Sequence, residues 1–134
     1  MDRRTMLGGT AGLLAGAAGL TASARDEATA ESVCCVDCRD CRTACLACAV
    51  ACLDEPGRKE CIRLCLDCAD ICGACSSVSA RNGPLTEAMK AVCAEACERC
   101  AEACEQHSED AACVACAQHC RACAKQCRAA IPGA

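Results

Sequence analysis

Seven cysteines lie within the nineteen residues 34–52, which read CCVDCRDCRTACLACAVAC. Thiolate is a soft ligand, so a cluster of this kind indicates Cu(I), zinc or an iron–sulfur cluster. Part of it matches the ferredoxin run C-x2-C-x2-C-x3-C, at Cys35, Cys38, Cys41 and Cys45. That run normally ends in proline, and here Leu46 follows. Whether these cysteines are presented by a loop or by a helix decides which chemistry is available to them.

Apart from Cys35, the 21 cysteines form four sets with steps of three or four residues. Such steps place each set on one face of a helix. The intervening residues are mostly Ala, Leu, Glu, Asp, Arg and Lys, many of them good helix formers. The cysteines therefore hold the a and d positions, where Leu or Ile would normally form a core. The sets are Cys34, Cys38, Cys41, Cys45, Cys48 and Cys52; Cys61, Cys65, Cys68, Cys72 and Cys75; Cys93, Cys97, Cys100 and Cys104; and Cys113, Cys116, Cys120, Cys123 and Cys127.

Helix-breaking residues separate the four sets. Pro56-Gly57 follows the first set, the loop-forming segment 76–84 follows the second, and Ser108 offers an N-cap before the fourth. Short connections make neighbouring helices antiparallel, so we predict an all-α fold, an antiparallel up-down four-helix bundle with a cysteine-lined core. The predicted helices lie near 29–54, 58–79, 85–106 and 109–130, within a bundle domain spanning 25–134.

A continuous helix over 34–52 excludes the ferredoxin interpretation of the first set. One iron–sulfur cluster needs cysteines that a loop wraps around it. A straight helix cannot turn the four cysteines of the run toward a single cluster. The match to the ferredoxin run is therefore a coincidence, produced by a helical stripe and one additional cysteine, Cys35.

Several roles for the cysteines can be compared. A purely structural core would sacrifice volume, because cysteine is small. A disulfide framework conflicts with the helical period, since neighbours on one helix rarely have the geometry for a disulfide bond. Zinc prefers four ligands in separate tetrahedral sites, which a narrow bundle repeats poorly. Bridging thiolates suit many Cu(I) ions, so Cu(I) is favoured; zinc buffering and an iron–sulfur or dithiol redox protein remain the alternatives.

Residues 1–24 have the features of an export signal. An arginine pair at 3–4 precedes a weakly apolar segment that ends in an A-x-A cleavage pattern at 22–24. The segment resembles a twin-arginine signal, with Met6 in place of the usual Phe and Gly8 in place of the Lys. We therefore expect export by the twin-arginine route to the periplasm or the exterior, with no membrane anchor after the signal is removed.

The fourfold cysteine stripe on four helices, behind a twin-arginine-type signal, resembles the bacterial copper storage proteins, a cysteine-rich four-helix-bundle family. The resemblance covers the whole of 25–134. It implies a protein that stores or sequesters many Cu(I) ions on core thiolates and releases them to a copper-accepting protein or chelator. It also implies a homotetramer of bundles and no catalytic turnover.

Two further residues continue the third stripe where cysteine stops. Met89 lies four residues before Cys93, and His107 lies three after Cys104, so they belong at opposite ends of the core. A thioether or an imidazole at the mouth of the core would be a suitable metal ligand, and in the resembled family Met and His ligands gather where ions enter. We predict both as candidate ligands and place His119 on the flank of the bundle.

Composition excludes nucleic-acid binding, and the histidines give no sign of an enzyme. The net charge is −4 with both signs interspersed, and the chain contains no Phe, Tyr or Trp on which a base could stack. Neither His107 nor His119 is accompanied by a nucleophile and an acid at a spacing that suggests catalysis.

Overall fold

The computed structural model describes residues 30–133, with side chains from Val36 onward. This part of the chain forms four α-helices: α1 (Ala30–Cys52), α2 (Lys59–Arg81), α3 (Thr86–Glu105) and α4 (Ala111–Ala129). Each predicted boundary lies within about two residues of the observed one, and the predicted all-α fold is confirmed. None of the described helices combines the length and the apolar character that crossing a membrane requires.

The helix ends form where the sequence provides turn and cap residues. Gly57 turns the α1–α2 loop with φ of +75°, a conformation that costs glycine little. Asn82 ends α2 in the left-handed conformation, with φ of 49°, and donates its backbone N–H to the Ser79 carbonyl. The Asp110 side chain accepts a hydrogen bond from the Ala112 backbone N–H at 2.9 Å, so Asp110 and not the predicted Ser108 caps α4.

The four helices form an up-down bundle in which α1 contacts α2 and α4, and α3 contacts the same two helices. The pairs α1–α3 and α2–α4 are therefore diagonal. One end of the bundle carries the C-termini of α1 and α3 and the N-termini of α2 and α4. We call it the Arg58 end, after the residue that precedes α2, and we call the opposite end the Lys90 end.

The core between the helices consists almost entirely of cysteine. Buried alanines, including Ala69, Ala94 and Ala101, flank the cysteines at the helix contacts. Their small side chains let the helices approach closely, so sulfur atoms fill the centre without larger residues. Leucines and valines lie toward the outside, as Leu53 and Leu66 do. The predicted cysteine-lined bundle is confirmed.

Candidate metal centre

All 19 cysteines with described side chains are thiols, and each is at most 1% exposed to solvent. Each stripe turns inward because its residues recur every three or four positions on a continuous helix. The cysteines of α1 through Cys45 lie on one uninterrupted helix, which confirms that no ferredoxin-type loop is present there. The side chains of Cys34 and Cys35 are outside the described residues.

Sulfur atoms of the diagonal helices α1 and α3 meet across the centre of the bundle. These two helices run parallel, so their stripes stay in register over four consecutive rungs. Their Sγ–Sγ distances are 3.7 Å for Cys38–Cys93, 3.8 Å for Cys41–Cys97, 3.9 Å for Cys45–Cys100 and 3.9 Å for Cys48–Cys104. The thiols thus occupy the bundle axis itself and leave no separate apolar layer between them.

The thiols form one continuous path along the bundle. A route can be followed in which every Sγ–Sγ step is between 3.6 and 3.9 Å, through Cys38, Cys93, Cys72, Cys97, Cys41, Cys120, Cys45, Cys100, Cys65, Cys104, Cys48, Cys113 and Cys52. From the helical rise, the path covers about 21 Å along the bundle axis between Cys38 and Cys52. An ion bound anywhere on the path therefore has a further thiol within one short step.

The sulfur atoms also form groups of four whose members lie within 4.8 Å of one another. Two of these groups share Cys45 and Cys120. A third group shares Cys41 with one of those two and shares Cys123 with a fourth group. Examples are Cys38, Cys93, Cys123 and Cys127; Cys41, Cys72, Cys97 and Cys123; Cys41, Cys45, Cys68 and Cys120; and Cys45, Cys100, Cys116 and Cys120. Because the groups overlap, one thiolate is positioned to bridge ions in two of them.

The distances between these thiols are those of contact and not of covalent bonding. The closest pair given for the described side chains, Cys38 and Cys123, has an Sγ–Sγ distance of 3.4 Å. A disulfide bond measures about 2.05 Å. The core of the described bundle is therefore a set of reduced thiols available as ligands.

Burial raises the pKa of thiols at the Arg58 end of this core. Desolvation raises the pKa of Cys61, and it raises the pKa of Cys113 to about 12, with the hydrogen bond to Cys52 acting in the same direction. In the middle of the core, hydrogen bonds with Cys100 and Cys116 raise the pKa of Cys45. A metal ion that binds these thiols must displace their protons.

A buried arginine lies against the last thiols at the Arg58 end. Arg58 is 7% exposed, and its Nη1 donates to Cys113 Sγ at 3.3 Å and Cys52 Sγ at 3.5 Å. The same nitrogen donates to Asp110 Oδ2 at 3.1 Å, and Nη2 donates to Glu109 Oε1 at 3.2 Å. Burial alone would lower the pKa of Arg58, but its hydrogen bonds to Cys52 and Asp110 raise it.

Polar residues of a different kind lie at the Lys90 end. Lys90 is 1% exposed, and Ser79 and Thr86 are also buried. The Ser79 Oγ atom is 3.8 Å from Cys75 Sγ. Lys90 and Thr86 thus continue the inward face of α3, and Met89 lies half-buried beside that face, packed against the core.

Met89, His107 and His119 lie at three different places in the structure. Met89 and His107 lie at opposite ends of α3, as expected. His107 is half-buried in the α3–α4 loop, where its backbone N–H donates to the Cys104 carbonyl at 3.0 Å. His119 is exposed on the flank of α4. A metal-binding role for Met89 and His107 remains a prediction.

Arg58 and Lys90 are buried cations that the cysteine pattern did not identify as part of the core. Arg58 lies three residues before Cys61, and Lys90 lies three before Cys93, so both continue a cysteine stripe at helical spacing. That spacing was the available signal. A charged residue at the end of a stripe is ordinarily a solvated helix end, which is why the pattern alone did not identify them as buried.

The chain is similar in sequence and fold to copper-binding bundles. A family model described as copper storage protein matches residues 27–132. Apo copper storage protein 3 from Bacillus subtilis is 38% identical, with a TM-score of 0.68 over 72% of this chain and 94% of that one. A cytosolic copper storage protein from Streptomyces lividans, solved with five coppers, is 36% identical, with a TM-score of 0.74 over 78% of this chain and 94% of that one. No curated protein sequence matches the chain.

The predicted export to the periplasm or the exterior is wrong by this comparison. The Streptomyces lividans protein, which this chain resembles over most of its length, is described as cytosolic. The expectation rested on an arginine pair and a Gly/Ala/Leu segment, which are short and compositionally common. Met6 and Gly8 also depart from the twin-arginine pattern. The proposed signal over 1–24 lies outside the described residues.

Proposed function

Because the chain belongs to the copper storage protein family, we propose that its core cysteines are the ligands that hold the stored copper. The protein is a copper storage protein that binds many Cu(I) ions. Its ligands in this proposal are the thiolates of the 19 described cysteines together with Cys34 and Cys35, with Met89 and His107 as additional ligands at the two ends. Overlap among the four-thiol groups is the observation that supports it most directly.

The overlap favours Cu(I) over zinc as the stored ion. A tetrahedral zinc site with Zn–S bonds of about 2.3 Å has S–S edges of about 3.8 Å, which the individual groups could satisfy. Cys45 and Cys120, however, each belong to two groups. Separate four-ligand zinc sites cannot all be filled when they share ligands. Bridging thiolates let neighbouring cuprous ions use the same sulfur, so the whole core can be loaded.

Storage also agrees with how little of the thiol core can be reached from solvent. The described thiols are at most 1% exposed, so the folded bundle presents none of them to an organic substrate. A single ion can pass from sulfur to sulfur, because each step along the core is shorter than 4 Å. We therefore propose storage without catalytic turnover, with release to a copper-accepting protein or chelator.

An anaerobic titration of the reduced full-length chain with Cu(I), against a chromophoric chelator, tests the ligand assignment. Bridging predicts that on the order of 15–20 ions bind per chain before the chelator colours. Saturation at one or two ions would contradict storage in the core. For the zinc alternative, the zinc-loaded chain is titrated with Cu(I) in the presence of a zinc indicator. We expect zinc release, and retention of zinc under excess Cu(I) would favour zinc buffering.

Assembly into a homotetramer is a further part of the proposal, taken from the family resemblance. Apolar side chains that the single bundle leaves exposed are consistent with it, among them Val50, Leu53, Leu85 and Val92. Light scattering of the apo protein should then give four times the chain mass. A mass that stays at that of one chain across the micromolar range would contradict the assembly.

A further inference from the structure

We propose that Arg58 is a latch that closes the Arg58 end of the thiol core, so that an ion crosses this end only when the guanidinium leaves Cys52 and Cys113. This role is distinct from metal ligation. Arg58 supplies no metal ligand, because a guanidinium carries only donors and stays protonated in proteins. Its effect is on which thiols can be reached from solvent.

The position of Arg58 places its side chain across the mouth of the core. It precedes α2, whereas Cys113 and Asp110 belong to α4 and its cap, and α2 and α4 are diagonal in the bundle. To reach Cys113 at 3.3 Å, the guanidinium must therefore cross the bundle axis. Cys52 ends the stripe of α1 and Cys113 begins that of α4, and their sulfurs are 3.6 Å apart. The guanidinium thus covers both terminal thiols together.

Two carboxylates hold the guanidinium in this position. Asp110 uses Oδ1 to cap α4 through the Ala112 N–H and Oδ2 to accept from Arg58. These hydrogen bonds, the cap first and then Arg58, lower the pKa of Asp110. Glu109 accepts from the second guanidinium nitrogen at 3.2 Å, although its own side chain is largely exposed. The latch is therefore tied to the start of a helix by a carboxylate whose geometry that helix fixes.

The latch obstructs a cuprous ion in two ways. It covers the terminal sulfurs with N–H donors, and it places a fixed positive charge in the path of a cation. An ion that passes must displace the guanidinium from two sulfurs and from Asp110 at once. The consequence for copper exchange rests on the proposed storage function, whereas the shielding of Cys52 and Cys113 does not.

Alkylation of the apo protein tests the shielding independently of copper. The reduced full-length chain is treated with iodoacetamide, and modification of each cysteine is followed in time by peptide mass spectrometry. In Arg58→Ala we expect Cys52 and Cys113 to react about tenfold faster. Cys38 and Cys127, toward the Lys90 end, should keep their wild-type rates. Arg58→Lys should restore part of the protection, because an ammonium keeps the charge without the planar fork.

A second variant releases the latch without removing it. Glu109→Gln combined with Asp110→Asn deletes both carboxylate charges, while asparagine remains a good helix cap. We expect Cys52 and Cys113 to react faster than wild type and more slowly than in Arg58→Ala. Arg121→Ala is the matched control, because Arg121 pairs with Glu105 at 2.6 Å on the surface. It should change no cysteine's rate.

The outcomes distinguish the latch from a general structural role. Unchanged rates at Cys52 and Cys113 in Arg58→Ala would overturn the proposal. Equal acceleration at both ends would also overturn it, since that would show global loosening of the bundle. If end-specific acceleration is found but the chain binds only one or two Cu(I) ions, the latch stands and the proposed storage function fails. If both hold, release of copper to a chelator should be several-fold faster in Arg58→Ala.

Discussion

Removing two central thiols should cost about two stored ions and no more. Cys45 and Cys120 have sulfurs 3.7 Å apart and together belong to two overlapping four-thiol groups. We consider the double substitution Cys45→Ala/Cys120→Ala. If every thiolate bridges two ions and every ion takes two thiolates, the core stores about one ion per thiol. The expected loss is then about two ions from the roughly 15–20 of the wild type.

The same substitutions weaken the apo bundle by a separable amount. Each removes one fully buried sulfur atom, whose lost transfer and cavity terms together cost about 1–2 kcal/mol. A control should therefore destabilise the bundle to a similar degree without removing a thiol. Ala94→Gly/Ala101→Gly does so, because both alanines are fully buried in α3. Each glycine costs about 1 kcal/mol in a helix.

The assay is the anaerobic Cu(I) titration, with protein normalised by thiol count after denaturation and stability measured by urea unfolding of the apo form. We expect the cysteine pair to lose about two ions and the glycine pair to lose none. A loss of four or more ions would refute the count of one ion per thiolate, since it would mean that neighbouring ions are lost together with those that Cys45 and Cys120 bind. No loss at all would show that Cys45 and Cys120 are not ligands.

Three further predictions concern protons and helices. Loading with Cu(I) should release protons at pH 7, measured with an indicator dye in weak buffer, because buried thiols such as Cys61 have a raised pKa; no release would contradict this. Burial raises the pKa of Cys113 from 9.0 to about 12 in the folded protein. Between these pH values the unfolded chain binds fewer protons than the folded one, so the melting temperature of the apo protein should fall as the pH rises across that range. A flat profile would argue against this prediction. Gly73→Ala should raise the free energy of unfolding in urea by about 0.5–1 kcal/mol, because alanine is favoured over glycine within a helix. The new Cβ meets only the Arg42 side chain, at 3.1 Å, which is exposed and can move. A decrease in the free energy of unfolding would show that Arg42 cannot move.

The helices and their inward faces were predictable because their causes are local. The step of three or four residues between cysteines assigns each stripe to one helix face. Pro56-Gly57 and Asn82-Gly83-Pro84 interrupt the helices for reasons that involve only neighbouring residues, although α2 continues through Ser76–Arg81, which the sequence placed in the loop-forming segment. The same local reasoning excluded a ferredoxin loop at Cys35–Cys45, and α1 confirms it. Copper as the stored ion followed from the chemistry of thiolate and from the family resemblance.

The cellular location of the protein could not be predicted in this way. Residues 1–24 carry an arginine pair and small apolar residues, and such a segment has no periodic or packing constraint that would make its interpretation specific. Met89 illustrates a related limit. Its spacing from Cys93 fits the stripe, yet the fully buried position on the inward face of α3 belongs to the next residue, Lys90. A step of three and a step of four are equally compatible with a helical stripe, so spacing could not choose between them.

The sequence by itself determined the four helices, the thiol character of their inner faces and the class of soft metal that such faces can bind, because each depends on residue type and short-range spacing. Only the tertiary structure decided which sulfurs meet. The rungs between α1 and α3, the groups that share Cys45, and the crossing of Arg58 to Cys113 all join residues far apart in the chain. Such contacts depend on the relative positions of whole helices, which helical periodicity leaves undetermined.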